Sequence, residues 1–167
     1  MNPKEIIRGI VIWLFYVLLH VFVTRYLVLF DYAFCFFYVG AILFMPYDTN
    51  QTALLCIAFL TGLIIDSFGN TLGVHTASLV LLAYIRPLII QNQLEQIITE
   101  TRTHISLQNL GFANFIKYVA ILVLIHHTVL LLIGAGTLSM LPITILKIVC
   151  SMVFTTFTLT LSQIFVR

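Results

Sequence analysis

Long apolar runs broken by short polar stretches dominate the chain, and a helix crossing a hydrocarbon core of about 30 Å needs about 20 mostly apolar residues. On that measure the pattern predicts helical spans over about 9–29, 33–45, 53–66, 72–90, 115–135 and 141–166. The second run, closed by Pro46, and the third are short. At about 1.5 Å per residue they reach roughly 20 Å. Six helices are the expectation; five full spans plus a re-entrant element is the alternative. Between the fourth and fifth runs lies the one sizeable polar stretch, residues 91–114. There Leu94, Ile97, Ile98 and Ile105 share a helical face, while Glu95, Glu100, Arg102 and His104 mostly lie off it. The stretch reads either as an amphipathic helix on the cytoplasmic interface or as an ordinary solvated loop.

Composition sharpens the picture. Of 167 residues, 61% are hydrophobic and 8% charged, against roughly 45–50% apolar and about 25% charged in a soluble domain. Mean hydropathy is +1.11. A soluble fold of this size could not hide so much apolar surface. The expectation is an all-α integral membrane protein, a single transmembrane domain over 1–167. Lys4 and Arg8 precede the first run as in a signal peptide, but no small-residue cleavage site follows, so that run reads as an uncleaved span.

Charge orients the set. With the N-terminus inside, Lys4, Arg8, Arg86, Arg102, Lys117 and Arg167 collect on the inner side, Arg25 on the outer, and Lys147 falls within the sixth span nearer its outer end. Positive residues favour the cytoplasmic side, so both termini are expected there. The net charge of +2 is scattered, with no basic block to bind nucleic acid. Cys35, Cys56 and Cys150 sit in apolar runs without CxxC spacing, so neither a disulfide framework nor a zinc site is indicated.

An ionisable side chain at membrane depth costs about 2.5–3.5 kcal/mol on insertion scales. Asp66, ending the third run in GLIIDSFGNTLGVH, therefore needs donors. Three arrangements would supply or exploit it: a cap on the helix that starts after the turn, a pair with Arg25 or Lys147, or a carboxylate held for a ligand. Gly62, four residues earlier, shares its helix face and lets a neighbouring backbone approach. Gly69 and Asn70 supply turn conformations, and Gly73 and His75 open the fourth helix. His20, His126 and His127 lie inside spans and read as interhelical hydrogen-bonding groups. No HExxH, phosphate loop or nucleophile–base pattern is present, so no enzyme, cofactor or metal is indicated.

Phe59 to Pro87, with Gly62, Asp66, Leu72, Gly73 and His75 in a G-x-x-x-D, polar turn, L-G-x-H order, resembles the signature region of the MreD family of bacterial rod-shape-determining membrane proteins. That resemblance implies a multi-pass protein of the bacterial cytoplasmic membrane without enzymatic activity. It would act in cell elongation, associating with MreC, the actin-like MreB, the glycosyltransferase RodA and its partner class B penicillin-binding transpeptidase. It also implies a six-helix fold like the S components of energy-coupling-factor vitamin transporters, and a vitamin-binding S component is the alternative function. Against it, the outer loops are short, and the first span, GIVIWLFYVLLHVFVT, lacks the alanines of a coupling face.

Overall fold

The computed structural model describes residues 3–101, 105–137 and 140–165. The fold is built from helix α1 (Pro3–Phe22), an antiparallel hairpin β1 (Val28–Leu29) and β2 (Ala33–Phe34), a short helix α2 (Gly40–Leu43), and four long helices. These are α3 (Gln51–Gly69), α4 (Val74–Thr101), α5 (Leu107–Ala135) and α6 (Leu141–Phe165). Among the described residues five segments are long and apolar enough to cross a membrane: 7–26, 51–69, 74–94, 107–135 and 141–164. The chain is a multi-pass membrane protein.

Local chemistry sets the helix ends. Asn50 caps α3, its side-chain oxygen accepting from the N–H of Thr52 at 2.9 Å and of Ala53 at 3.4 Å. Ser106 does the same for α5 through the N–H of Asn109. Pro87 lies inside α4, where a missing N–H frees the carbonyl four residues back. That carbonyl belongs to Ala83, and Gln51 Nε2 donates to it at 3.4 Å. In α5, Gly111 (φ 72°, ψ 160°) breaks the helix after its first turn.

The expected second helix is not there. Residues 33–45 form β2, a 3-10 turn at Phe37–Val39 and the four-residue α2, so among the described residues the helices long and apolar enough to span number five and not the expected six. The chain nevertheless returns through the bundle at this point. Trp13 Nε1 donates to Thr61 Oγ1 at 2.8 Å, and Arg25, in the turn just past α1, donates to Phe68 O at the far end of α3, so the two helices run in the same direction. The connection between them must travel back, and it does so buried: Cys35, Phe37, Tyr38, Val39, Ala41, Ile42 and Leu43 are all core residues.

Non-helical backbone at membrane depth is tolerated only where protein satisfies its polar groups, and three helices do this. From α6, Ser151 Oγ accepts from Phe34 N at 3.0 Å and donates to Tyr32 O, while Thr155 Oγ1 accepts from Phe36 N and donates to Phe34 O, both at 3.2 Å. From α4 and α5, Arg86 Nη2 reaches the carbonyls of Leu43 and Met45, and Tyr118 donates to Leu43 O at 2.9 Å. Close packing completes the fit. A Cβ on Gly40 would lie 2.6 Å from the Tyr16 ring and 2.8 Å from Leu159.

Other boundaries also move. The polar stretch 91–114 is divided: residues 91–101 continue α4 and 107–114 begin α5, while 102–104 lie outside the described residues. Neither the lone interfacial helix nor the plain loop describes it. Tyr16 of α1 bonds Ser162 and Gln163 near the end of α6, and Phe34 in the hairpin meets Ser151 nearer its start, so α6 runs antiparallel to α1.

Candidate functional site: the Asp66 corner and the buried histidines

At the hairpin end of the bundle, α3 turns into α4 through residues 70–73. Asn70 takes the left-handed conformation (φ 53°) and Gly73 follows with φ 81°, a conformation that suits glycine. Both the Asn70 and Thr71 N–H groups return to Asp66 O, which closes the helix end. The Asp66 side chain then points forward. Its Oδ1 accepts from Thr71 Oγ1 and from His75 N at 3.1 Å, and its Oδ2 from Thr76 N at 2.9 Å and Thr76 Oγ1 at 2.6 Å. Asp66 is 4% exposed, and every donor to its carboxylate comes from within ten residues.

Asp66 therefore caps the start of α4. The two cations considered as partners are engaged elsewhere. Arg25 Nη1 donates to Phe68 O at 2.9 Å with its guanidinium over the Tyr26 ring, and the Lys147 ammonium sits 5.7 Å from the Phe34 ring centre. Gly62 lies one turn below Asp66 on the same face. A Cβ there would collide with Thr76 Cα and lie 2.9 Å from Thr76 N, so the absence of a side chain lets the two helices meet. Gly69, by contrast, has only Thr71 near it, at 3.4 Å.

His75 joins this corner to the bundle interior. Its N–H is held by Asp66, while its ring Nδ1 meets Tyr38 Oη at 2.8 Å. The same hydroxyl lies 3.0 Å from His126 Nε2, which also meets Ser78 Oγ at 3.2 Å. His126 Nδ1 and His127 Nδ1 are 3.3 Å apart, and His127 Nε2 lies 3.1 Å from Thr155 Oγ1. One chain of hydrogen bonds thus links α4, the irregular crossing, α5 and α6. His126 and His127 are fully buried. His20, on α1, stands apart from this chain with its Nδ1 on Thr24 Oγ1 at 3.0 Å and its ring against Tyr38.

A second buried polar centre lies toward the other end. Arg86 is 1% exposed, with Nε on Tyr118 Oη at 3.0 Å and Nη2 on the carbonyls of Leu43, which ends α2, and Met45 just beyond it. A cation there faces the negative end of the short helix. Counting Arg86 as a surface charge on the cytoplasmic side misses this, because its role is internal.

Sequence reasoning did not pick out Tyr38, Thr76, Ser78, Tyr118, Ser151 or Thr155. One signal was available: Ser151, Thr155, Thr158 and Ser162 recur at helical spacing along α6. Among the described residues no group of three or more His, Cys, Asp or Glu side chains could hold a metal ion. The arrangement is suited to holding backbone in place: the hydroxyls that meet imidazoles, Ser78, Thr155 and Tyr38, also tie the helices and the irregular crossing together.

No protein-family model, curated protein or solved structure matches this chain.

Proposed function

We propose that this chain is a non-enzymatic assembly component of bacterial cell elongation, an MreD-like docking body in the cytoplasmic membrane. It would bind an MreC-like single-span protein and, with it, MreB, RodA and the partner transpeptidase. Both termini would face the cytoplasm. Its architecture would be a six-crossing variant of the S-component bundle, with the second crossing non-helical.

The observation that carries this reading is the consumption of Asp66. All four donors to its carboxylate are local, which leaves the Asp66 charge unavailable to a ligand and makes the G-x-x-x-D and L-G-x-H residues one rigid corner. Rigidity favours docking, because less conformational freedom is lost on association. The vitamin-binding alternative draws no support from the neighbouring cavity, which at about 220 Å³ falls below the roughly 300–1,000 Å³ of sites for drug-sized ligands.

Co-purification of the tagged protein in mild detergent tests the reading. An MreC-like single-span protein should accompany it. Recovery of an ATPase-type transporter module instead would replace the docking function with the transporter one.

A further inference from the structure

Beneath the hairpin, between the ends of α1 and α3, lies a cavity of about 220 Å³. Phe34, Phe36 and Phe68 supply aromatic wall, and Arg25, Thr71 and His75 supply polar atoms. The wall at residues 34–36 is held by Ser151 and Thr155, so its shape does not depend on an occupant. An apolar cavity of about 150 Å³ accommodates benzene. This one therefore has room for a single ring with a small substituent.

Its free polar capacity is one-sided. No carboxylate lines the cavity, and the nearby Asp66 is saturated by Thr71, His75 and Thr76. Thr71 has given its hydroxyl proton to Asp66, and His20 is engaged by Thr24 through Nδ1 and by the Cys35 backbone. Two groups remain. Arg25 hydrogen-bonds through Nη1 alone, to Phe68 O, with one face on the Tyr26 ring, which leaves the N–H groups of Nε and Nη2 without a hydrogen-bond partner among the described residues. His75 commits Nδ1 to Tyr38, which leaves Nε2 likewise unpartnered. A guanidinium whose Nε–Nη2 edge is free matches a planar carboxylate, and aromatic walls favour a ring over an alkyl chain.

The geometry points to a binding site for a small single-ring organic anion, an aromatic carboxylate. The carboxylate sits on Arg25, the ring lies among Phe34, Phe36 and Phe68, and a polar ring substituent meets His75 Nε2. This goes beyond the docking function and does not depend on it, since a docking body can hold such an anion or lack it.

The test uses the full-length protein in phosphatidylcholine nanodiscs, with benzoate and benzyl alcohol as probes followed by saturation-transfer NMR. Benzoate should bind saturably with a dissociation constant of order 1 mM or tighter. Arg25→Gln should weaken benzoate by about tenfold or more, the scale of one charge-assisted hydrogen bond. Benzyl alcohol, which keeps the ring and loses the charge, should change by less than about twofold. Arg25 is exposed, so an unchanged thermal midpoint will show the variant folded. Absence of saturable benzoate binding to folded wild type overturns the site, and so does equal weakening of both probes. Loss of benzoate binding when phosphatidylglycerol is added to the nanodiscs also overturns it, by assigning Arg25 to a lipid headgroup.

Discussion

Thr76 Cα occupies the space into which any side chain on Gly62 would have to grow. The contact is backbone on backbone, so no rotamer change relieves it. Gly62→Ala should lower stability by about 1–3 kcal/mol, the usual cost of overpacking, and Gly62→Leu by more. Thermal midpoints in detergent would rank the two; a neutral Gly62→Leu would mean that α3 and α4 do not meet here.

Asp66 offers a graded comparison. Asparagine keeps one acceptor oxygen and replaces the other with a donor, so it opposes the Thr76 or the Thr71/His75 pair but satisfies the remaining one. Leucine satisfies neither, and each buried donor left without a partner costs about 1–3 kcal/mol. Asp66→Asn should be the milder variant in both thermal midpoint and recovery of the proposed MreC-like partner. Equal, complete loss of partner with both variants folded would instead assign an essential charge.

The hydroxyl of Thr155 bridges Phe36 N, Phe34 O and His127 Nε2. Thr155→Val preserves volume while removing every one of these bonds, and should destabilise by roughly 2 kcal/mol. Thr155→Ser should recover most of that. Hydrogen exchange at the Phe36 amide would report the effect directly, rising in the valine variant and not in the serine one.

Arg86 should resist conservative exchange. Lysine is a point charge on a flexible stem and cannot span Tyr118 and the two carbonyls at once. Arg86→Lys should therefore be destabilising, Arg86→Met by about 3 kcal/mol or more because the carbonyls lose a charged donor, and Tyr118→Phe by about 1 kcal/mol. Thermal midpoints should fall in the order methionine, lysine, phenylalanine, with methionine lowest.

Calorimetry with thiamine or biotin should give no signal, given a cavity sized for one substituted ring. Sub-micromolar binding of either vitamin would overturn the docking reading.

How far the sequence carried can be seen in two neighbouring stretches. GLIIDSFGNTLGVH placed Gly62 and Asp66 on one face and the turn between two helices, because those relations depend on spacing of a few residues. AFCFFYVGAILFM has a hydropathy that fits a helix equally well, yet it forms a strand, a 3-10 turn and a four-residue helix. Its backbone N–H groups donate to Ser151 and Thr155 and its carbonyls accept from Arg86 and Tyr118, so the environment that permits an irregular path comes from α4, α5 and α6.

Sequence alone thus determined membrane residence, a multi-helix architecture and the turn that follows Asp66, because burial of apolar surface and turn chemistry are local properties of the chain. Only the tertiary structure decided that the second crossing is unwound, and that Tyr38 meets His75 and His126 across 37 and 88 positions. Those contacts exist because separate helices stand side by side. Hydropathy records how apolar a segment is, and it is silent on which neighbour will supply the hydrogen bonds that let the segment leave the helix.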